Sequence, residues 1–324
     1  MSVRHPDAVY VLPLRGDSPL GAEALTYLRW LVRELAVVVV DGSPDAVRSA
    51  NARALPDAVR HVDAPAPRSG CNGKVLGVRR GLAVSREARV VVADDDVRWD
   101  PATLDAALRL LDDVDLVRPQ NVFDPAPWHA RWDTGRSLLN RAVGGDWPGT
   151  LVVRRAALPP HGYAADVLFE NLELVRTVRA RGGRERVARD LLVHRVPPTV
   201  RHFWRQRVRQ AYGSHAQPGR LLVELAVTPL LVAASVRRRG RRTALAVAAA
   251  SVAVAEVGRR RGGGARAYPA SAALWAPVWL GERAVCAWLA LGYRVAGGVP
   301  YAGTRLRAAA TPPRRLRRTV GLAA

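Results

Sequence analysis

Short runs of apolar, largely β-branched residues constrain this chain most: AVYVLPL at 8–14, AVVVV at 36–40 and RVVVA at 89–93. Runs this short and this uniformly apolar read as strands of a parallel sheet covered on both faces. Stretches of helical periodicity separate them at 20–34, 45–54 and 74–86, with a further short strand at 58–62. Strands alternating with helices are the sequence sign of a βαβ sheet. A helix at 101–112 and a strand at 115–122 continue the pattern, which then becomes mixed. There follow a Trp-rich helix at 128–143, a Gly-flanked strand at 149–154, a helix at 168–181 and a basic amphipathic helix at 199–213. The expected fold is α/β, a mixed sheet with helices on both faces over residues 1–215, followed by a helical region over 216–324.

The formal net charge of +22 is distributed unevenly. Residues 1–196 hold 28 basic and 25 acidic side chains, whereas residues 197–324 hold 22 and 3. In that second stretch RRRGRR (237–242) and GRRRGGGAR (258–266) bracket apolar blocks at 221–236, 243–257 and 270–296. Arginines interleaved with apolar stretches suit an anionic membrane surface better than nucleic acid. The first two blocks fall short of the roughly 20 residues that cross a bilayer as a helix, so they read as interfacial or as a re-entrant hairpin. The arginine runs at both ends of the second block favour the cytoplasmic side for both. The third block carries Trp275, Trp279 and Trp288, ring types that settle at headgroup depth, although Glu282 and Arg283 interrupt it. A soluble helical bundle is the competing reading of this tail. The N-terminal apolar run is too short for a signal peptide, which places the first domain in the cytoplasm. Cys71 and Cys286, far apart and in unlike settings, imply neither a disulfide framework nor a zinc site.

Asp94-Asp95-Asp96 directly after a buried strand is the strongest local signal. Ligands of open α/β sheets bind at the carboxyl ends of the strands, and carboxylates one residue apart can project into the same crevice. Hard cations such as Mg²⁺ or Mn²⁺ take one or two carboxylates together with substrate phosphate oxygens, which makes Asp94 and Asp96 candidate metal ligands. Asp41, after another buried strand in VVVVDGS, can accept hydrogen bonds from a base or ribose. Lys74, the one lysine among 50 basic residues, opens a helix in CNGKVLGVRRGL, where backbone N–H groups and its ammonium would both favour an anion. The competing readings are plain ones: a solvated acidic turn, a common strand-end aspartate and an exposed helix-start lysine. Trp128, His129, Trp132 and Trp147 read chiefly as packing.

Taken in order, these segments resemble the family 2 glycosyltransferases of the GT-A fold, in particular the ceramide glucosyltransferase-like and hopanoid-associated membrane branch. Pro13-Leu14-Arg15-Gly16 is similar to that branch's P-L-K-G, Val40-Asp41-Gly42-Ser43 to its nucleotide-binding aspartate segment, and Asp94-Asp95-Asp96-Val97 to its D-x-D metal motif. Gly73-Lys74 through Gly81-Leu82 resembles G-K-x5-N-x-G-L, with Arg79 where asparagine is usual, and Gly149 to Leu158 resembles G-x4-R-R-x2-L. Phe169-Glu170-Asn171-Leu172-Glu173-Leu174 resembles the segment E-D-x-E-L, but Asn171 stands where that family's aspartate base usually does. Gln206-Arg207-Val208-Arg209-Gln210 is similar to Q-x-x-R-W with Gln210 for tryptophan, and 297–303 (GGVPYAG) resembles the branch's closing segment.

The resemblance implies metal-dependent transfer of a sugar, with inversion, from a nucleotide diphosphate donor such as a UDP-sugar to a lipid or other membrane-proximal hydroxyl. Pro13, Arg15, Asp41, Lys74, Asp94 and Asp95 would then contact the nucleotide sugar, with Mg²⁺ or Mn²⁺ on Asp94 and Asp96. Since asparagine cannot take a proton at neutral pH, the base falls to Glu170, with Glu173 and Asp166 behind it. Arg209 would meet the departing diphosphate, with Gln206 beside it. Asp146, Trp147 and Asn171 are candidates for the acceptor pocket. The alternative from another class is a catalytically degenerate membrane scaffold that binds without transferring. Nucleic acid is not an expected partner, and the expected location is the cell membrane, with the catalytic domain on its cytoplasmic side.

Overall fold

A computed structural model describes residues 3–66 and 68–320. Residues 1–2 and 321–324, which end the two expected domains, lie outside the described residues, as does Pro67. In chain order the elements are β1 (His5–Leu14), α1 (Ala22–Glu34), β2 (Leu35–Asp41), α2 (Asp45–Ala54), β3 (Val59–Asp63), α3 (Gly73–Val84), β4 (Arg89–Ala93), β5 (Val97–Arg98) and α4 (Pro101–Leu110). There follow β6 (Leu116–Phe123), α5 (Trp128–Val143), β7 (Thr150–Arg154), α6 (Glu170–Ala180), β8 (Glu185–Arg195), α7 (Val200–Tyr212), α8 (Pro218–Val236) and α9 (Gly240–Arg260). The chain closes with α10 (Ala276–Val295), a hairpin of β9 (Val299–Tyr301) and β10 (Thr304–Leu306), and α11 (Pro313–Val320). Two compact units interleave along the sequence: residues 1–118, 148–186 and 311–324 form the first, and 119–147 with 187–310 form the second.

The first unit is the α/β part. Its strands run in the order β3-β2-β1-β4-β7-β6. The first four are parallel, while β7 is antiparallel to β4 and to the start of β6. The β-branched runs occupy the centre, with Val9, Val11, Val39 and Val90 fully buried. Helix α3 lies close against β1 because its glycines allow it. A Cβ at Gly77 would come 2.8 Å from the Pro13 Cβ, and one at Gly81 would come 2.4 Å from a Val11 methyl. The register that pairs Leu14 with Asp41, together with the parallel β1–β4 pairing, brings the segments beginning at Arg15, Gly42 and Asp94 to one edge of the sheet.

The second unit is mainly helical. Within it α5, α9 and the segment 270–275 pack around Leu138, Ala255, Tyr268 and Ala276. Arg141 is buried in the same layer and donates to the carbonyls of Arg189, Gly258 and Arg261.

The structure departs from the sequence expectation in several places, among them the short strands β5, β9 and β10 and the helix α11. Strand β8 was not expected, because in ERVARDLLVHR charged residues break both the alternating and the continuous apolar patterns. The 270–296 block is not one segment: a 3₁₀ turn at Ala270–Trp275 precedes α10. Trp279, expected at headgroup depth, is instead 4% exposed and faces the interior, while Trp288 is 46% exposed. Helix α8, beginning at Pro218, is 19 residues long, and among the described residues it alone is long and apolar enough to cross a membrane.

Candidate functional site

The first unit gathers Lys74, Asp94 and Glu170 into one cluster. Asp94 follows β4, whose edge is fixed by the Asp94 N–H donating to the Gly149 carbonyl at 2.8 Å and the Thr150 hydroxyl donating to the Val92 carbonyl at 2.9 Å. Lys74 sits in the first turn of α3, capped by the Asn72 side chain, which accepts from the Lys74 N–H. The same Asn72 amide donates to the carbonyls of Val167 and Leu168, while its backbone N–H donates to the Ala165 carbonyl at 2.6 Å. One asparagine therefore ties the start of α3 to the segment leading into α6, whose first residue is Glu170. Sequence reasoning passed over Asn72, although an asparagine at the cap position ahead of Gly-Lys is a signal that could have found it.

At the centre, the Lys74 ammonium lies 2.5 Å from Asp94 Oδ1 and 2.7 Å from Glu170 Oε1. Burial alone would lower the ammonium's pKa, but the two carboxylates outweigh it and hold the pKa well above the ordinary lysine value. Lys74 is thus cationic at any physiological pH. In this structure it bonds two carboxylates, whereas the sequence expectation set it beside an anion at the helix start.

The acidic turn is held from its other side. Arg98 forms a bidentate pair with Glu23 at 2.6 Å and donates to the Asp95 carbonyl at 2.7 Å. Its guanidinium lies 4.9 Å from the centre of the Tyr27 ring. Asp94 and Asp96 are half-buried and Asp95 is exposed. Sequence reasoning missed Arg98 and Glu23, because no motif links residues 75 positions apart.

The other expected residues divide. Pro13 lies half-buried under Gly77, and Arg15 is exposed after β1. Asp41 is fully buried and accepts from the Ser43 N–H at 2.8 Å, from Asn51 Nδ2 at 2.8 Å and from His61 at 3.2 Å. Burial would raise its pKa, but these hydrogen bonds more than compensate and hold it low. Its oxygens organise the β2 end from within, and Ser43 in turn accepts from the Gly16 N–H.

Asn171 donates to the Pro148 carbonyl at 2.7 Å, a bond that an aspartate could not make, which gives this departure a structural role. Arg79, the other departure in this unit, donates to the Tyr163 carbonyl at 2.8 Å. Glu173 is fully buried and accepts from the Thr311 N–H at 2.7 Å, and burial raises its pKa. That removes it as a base within reach of a substrate. Asp166 is exposed.

In the second unit, Asp146 is fully buried and accepts from Arg136, Ser137 and Asn140 at 2.7–3.0 Å, so its carboxylate serves the interior. Trp147 beside it is half-buried. On α7, the Arg209 guanidinium lies 5.5 Å from the centre of the Tyr301 ring, and Gln206 accepts from Gln210 at 3.2 Å.

Among the described residues no group of three or more His, Cys, Asp or Glu is arranged to hold a metal by itself. Hard cations that bind with a diphosphate do not need one, since the substrate supplies the remaining oxygens. Asp94 and Asp96 stand half-buried in one turn directly after β4, a carboxylate donor set of the kind that hard divalent ions take.

No protein-family profile matches the chain, and no curated protein matches its sequence. Among solved structures it resembles a mannosyltransferase from Pyrobaculum calidifontis, solved in complex with GDP-mannose and Mn²⁺. That match has a TM-score of 0.51 and 21% identity, over 88% of this chain and 87% of that one. Two further matches are mannosyl-3-phosphoglycerate synthase from Rubrobacter xylanophilus and glucosyl-3-phosphoglycerate synthase from Mycobacterium tuberculosis, the latter with Mn²⁺, UDP and phosphoglyceric acid. Their TM-scores are 0.42 and 0.40, with 16% and 20% identity, over 62% and 63% of this chain and 70% and 76% of theirs. The first likeness establishes the fold, which this chain shares with a solved mannosyltransferase over most of its length.

Proposed function

We propose that the chain is a metal-dependent glycosyltransferase that moves a sugar from a nucleotide diphosphate donor to a hydroxyl on a membrane lipid. The cluster of Lys74, Asp94 and Glu170 carries this reading. It places a cation-facing carboxylate and a second, half-buried carboxylate at the strand edge where ligands of such sheets bind. Asp94 and Asp96 would hold Mg²⁺ or Mn²⁺, which supplies charge stabilisation to a departing diphosphate. Glu170 takes the proton from the acceptor hydroxyl as its oxygen attacks the anomeric carbon from the face opposite the leaving group, which gives inversion. Lys74 holds both carboxylates oriented before substrate arrives. Arg98 and Glu23 fix the turn that aims Asp94. Donors carrying UDP and GDP both suit such a site, with UDP the first to test.

Membrane association rests on the inverted polarity of α8. The residues it buries in the second unit include Glu224, while Leu222, Val223, Leu230 and Val232 are 51–70% exposed. A helix of a water-surrounded bundle shows the opposite arrangement. Residues before and after α8 belong to the same compact unit, so we read α8 as lying in one interface rather than crossing. Arg237–Arg239, Arg241 and Arg242 beyond its end would meet anionic headgroups, and the positive-inside bias favours the cytoplasmic face.

A second reading, a scaffold that binds donor without transferring, is favoured by Glu170 being already engaged by Lys74. Nucleotide sugars screened against the detergent-solubilised chain, with and without Mn²⁺ or Mg²⁺, test both. Metal-dependent thermal stabilisation by one donor, followed by transfer to a lipid extract, is expected. Stabilisation without transfer would favour the scaffold, and no response to any donor would remove both readings.

A further inference from the structure

The second unit encloses a guanidinium with nothing to bond. Arg283 on α10 is 1% exposed, and its Nε and both terminal nitrogens lack a hydrogen-bond partner among the described residues. It stacks on Trp279, 4.9 Å from the ring centre, and Arg220 lies 5.4 Å from the same ring. The Trp279 indole N–H is buried and unpartnered as well. Stacking leaves the flat N–H edge of a guanidinium available in a fork suited to carboxylate or phosphate.

The surrounding acids do not fill that fork. Glu282 pairs through Oε2 with Arg207, which Asp133 also holds, and the Cys286 thiol hydrogen-bonds to the same carboxylate. Glu224 pairs through Oε1 with Arg220, and its Oε2 has no partner. Native interiors rarely leave such groups unsatisfied, and each one asks for a bound ion, water or ligand. A ligand suited to these groups would offer several acceptor oxygens to Arg283 and Trp279 and a hydroxyl donor to Glu224.

We infer that Arg283 and Trp279 form the anion-binding end of a site for a hydroxyl-bearing phosphate ester, with Glu224 receiving a hydroxyl. The exposed outer faces of α8 and α10 are apolar, including Leu222, Val223, Val285 and Leu289, and basic sites among membrane-facing helices take lipid headgroups. The ester comes from a polyol phospholipid headgroup or from a free sugar or glycerol phosphate. The site stands independently of sugar transfer.

The test is thermal unfolding of the full chain in neutral detergent at matched ionic strength, with neither metal nor nucleotide sugar present. Inorganic phosphate, glycerol phosphate, and mixed micelles of phosphatidylglycerol or of phosphatidylcholine are added in separate arms. Glycerol phosphate or phosphatidylglycerol should raise Tm by about 3 °C over phosphatidylcholine or chloride. Arg283→Met, an apolar replacement of similar length, should lose that rise. A rise with phosphatidylglycerol alone assigns the lipid source, and an equal rise with glycerol phosphate assigns the free ester. No rise in the native chain, or an equal rise in Arg283→Met, would overturn the site and leave ordered water in its place. Should Arg283→Met fail to fold, Trp279→Phe keeps an aromatic ring for stacking while removing the indole N–H with the pyrrole half of the ring. An undiminished rise in that variant also overturns the assignment.

Discussion

The Lys74 ammonium donates to Glu170 Oε1 at 2.7 Å, joining the first turn of α3 to the first turn of α6 across 96 residues of sequence. With Asp94 as its second partner, this lysine fixes where a base and a cation-binding carboxylate stand relative to each other. Glu170→Gln preserves the size and one acceptor oxygen but cannot take up a proton. Turnover should fall by about 10²–10⁴-fold, the range for a lost general base, while donor affinity measured by calorimetry stays within about threefold. Turnover equal to the native chain would place the base elsewhere.

Removing the cation instead leaves two neighbouring carboxylates facing each other. Lys74→Met should destabilise the protein by roughly 1–3 kcal/mol in denaturant unfolding, less than for a deeply buried pair because all three side chains are partly solvated. Added Mn²⁺ should recover more stability in the variant than in the native chain, since the ion replaces the lost positive charge. Equal recovery in both would separate Lys74 from the metal site.

Much of this site was legible in the sequence because it follows strand ends. Asp41 and Asp94 were placed by the buried runs before them, and both lie at the carboxyl edge of the sheet. What those carboxylates bond was not legible. Asp41 looked open to a ligand yet is enclosed by Ser43, Asn51 and His61, and Lys74 looked open to an anion yet binds two acids. Sequence distance hides such partners: Asn51 and His61 arrive through α2 and β3, and Glu170 through a fold-level return of the chain. Asn171, a departure from the resembled motif, became intelligible only when its amide was found on the Pro148 carbonyl.

Asp41 gives a pH test. Its pKa in the folded chain lies below the ordinary value of 3.8, so its contribution to stability is complete above that value and is lost as pH falls through the depressed one. Native protein should therefore lose Tm more steeply as pH falls below about 3.8 than Asp41→Asn, whose amide does not titrate there. At pH 7 the variant should be less stable by about 1–3 kcal/mol, because its new N–H donors face those of Asn51. Parallel acid limbs would show that Asp41 is not held low.

Helix α3 makes a steric prediction. A methyl at position 81 would meet the Val11 side chain at 2.4 Å, within the layer that carries Lys74. Gly81→Ala should cost about 1–3 kcal/mol of stability despite alanine's better helix propensity, and it should weaken metal-dependent donor binding by displacing α3. A variant as stable as the native chain would mean that α3 stands farther from β1.

The membrane reading turns on the outer face of α8. Deleting residues 216–324, the helical region that the sequence sets apart, would divide the second unit, which also contains 119–147 and 187–215. Substituting Leu222, Val223, Leu230 and Val232 with glutamine leaves that interior intact, since all four side chains point outward. Each apolar side chain buried in lipid is worth about 1.5 kcal/mol or more, so their joint removal should weaken binding to phosphatidylglycerol vesicles by well over tenfold. Raising the salt concentration should weaken binding of the native chain further, through its arginine runs, because exposed charges are screened within about a nanometre. Undiminished sedimentation of the quadruple variant with vesicles would show that α8 packs against protein and not against a bilayer.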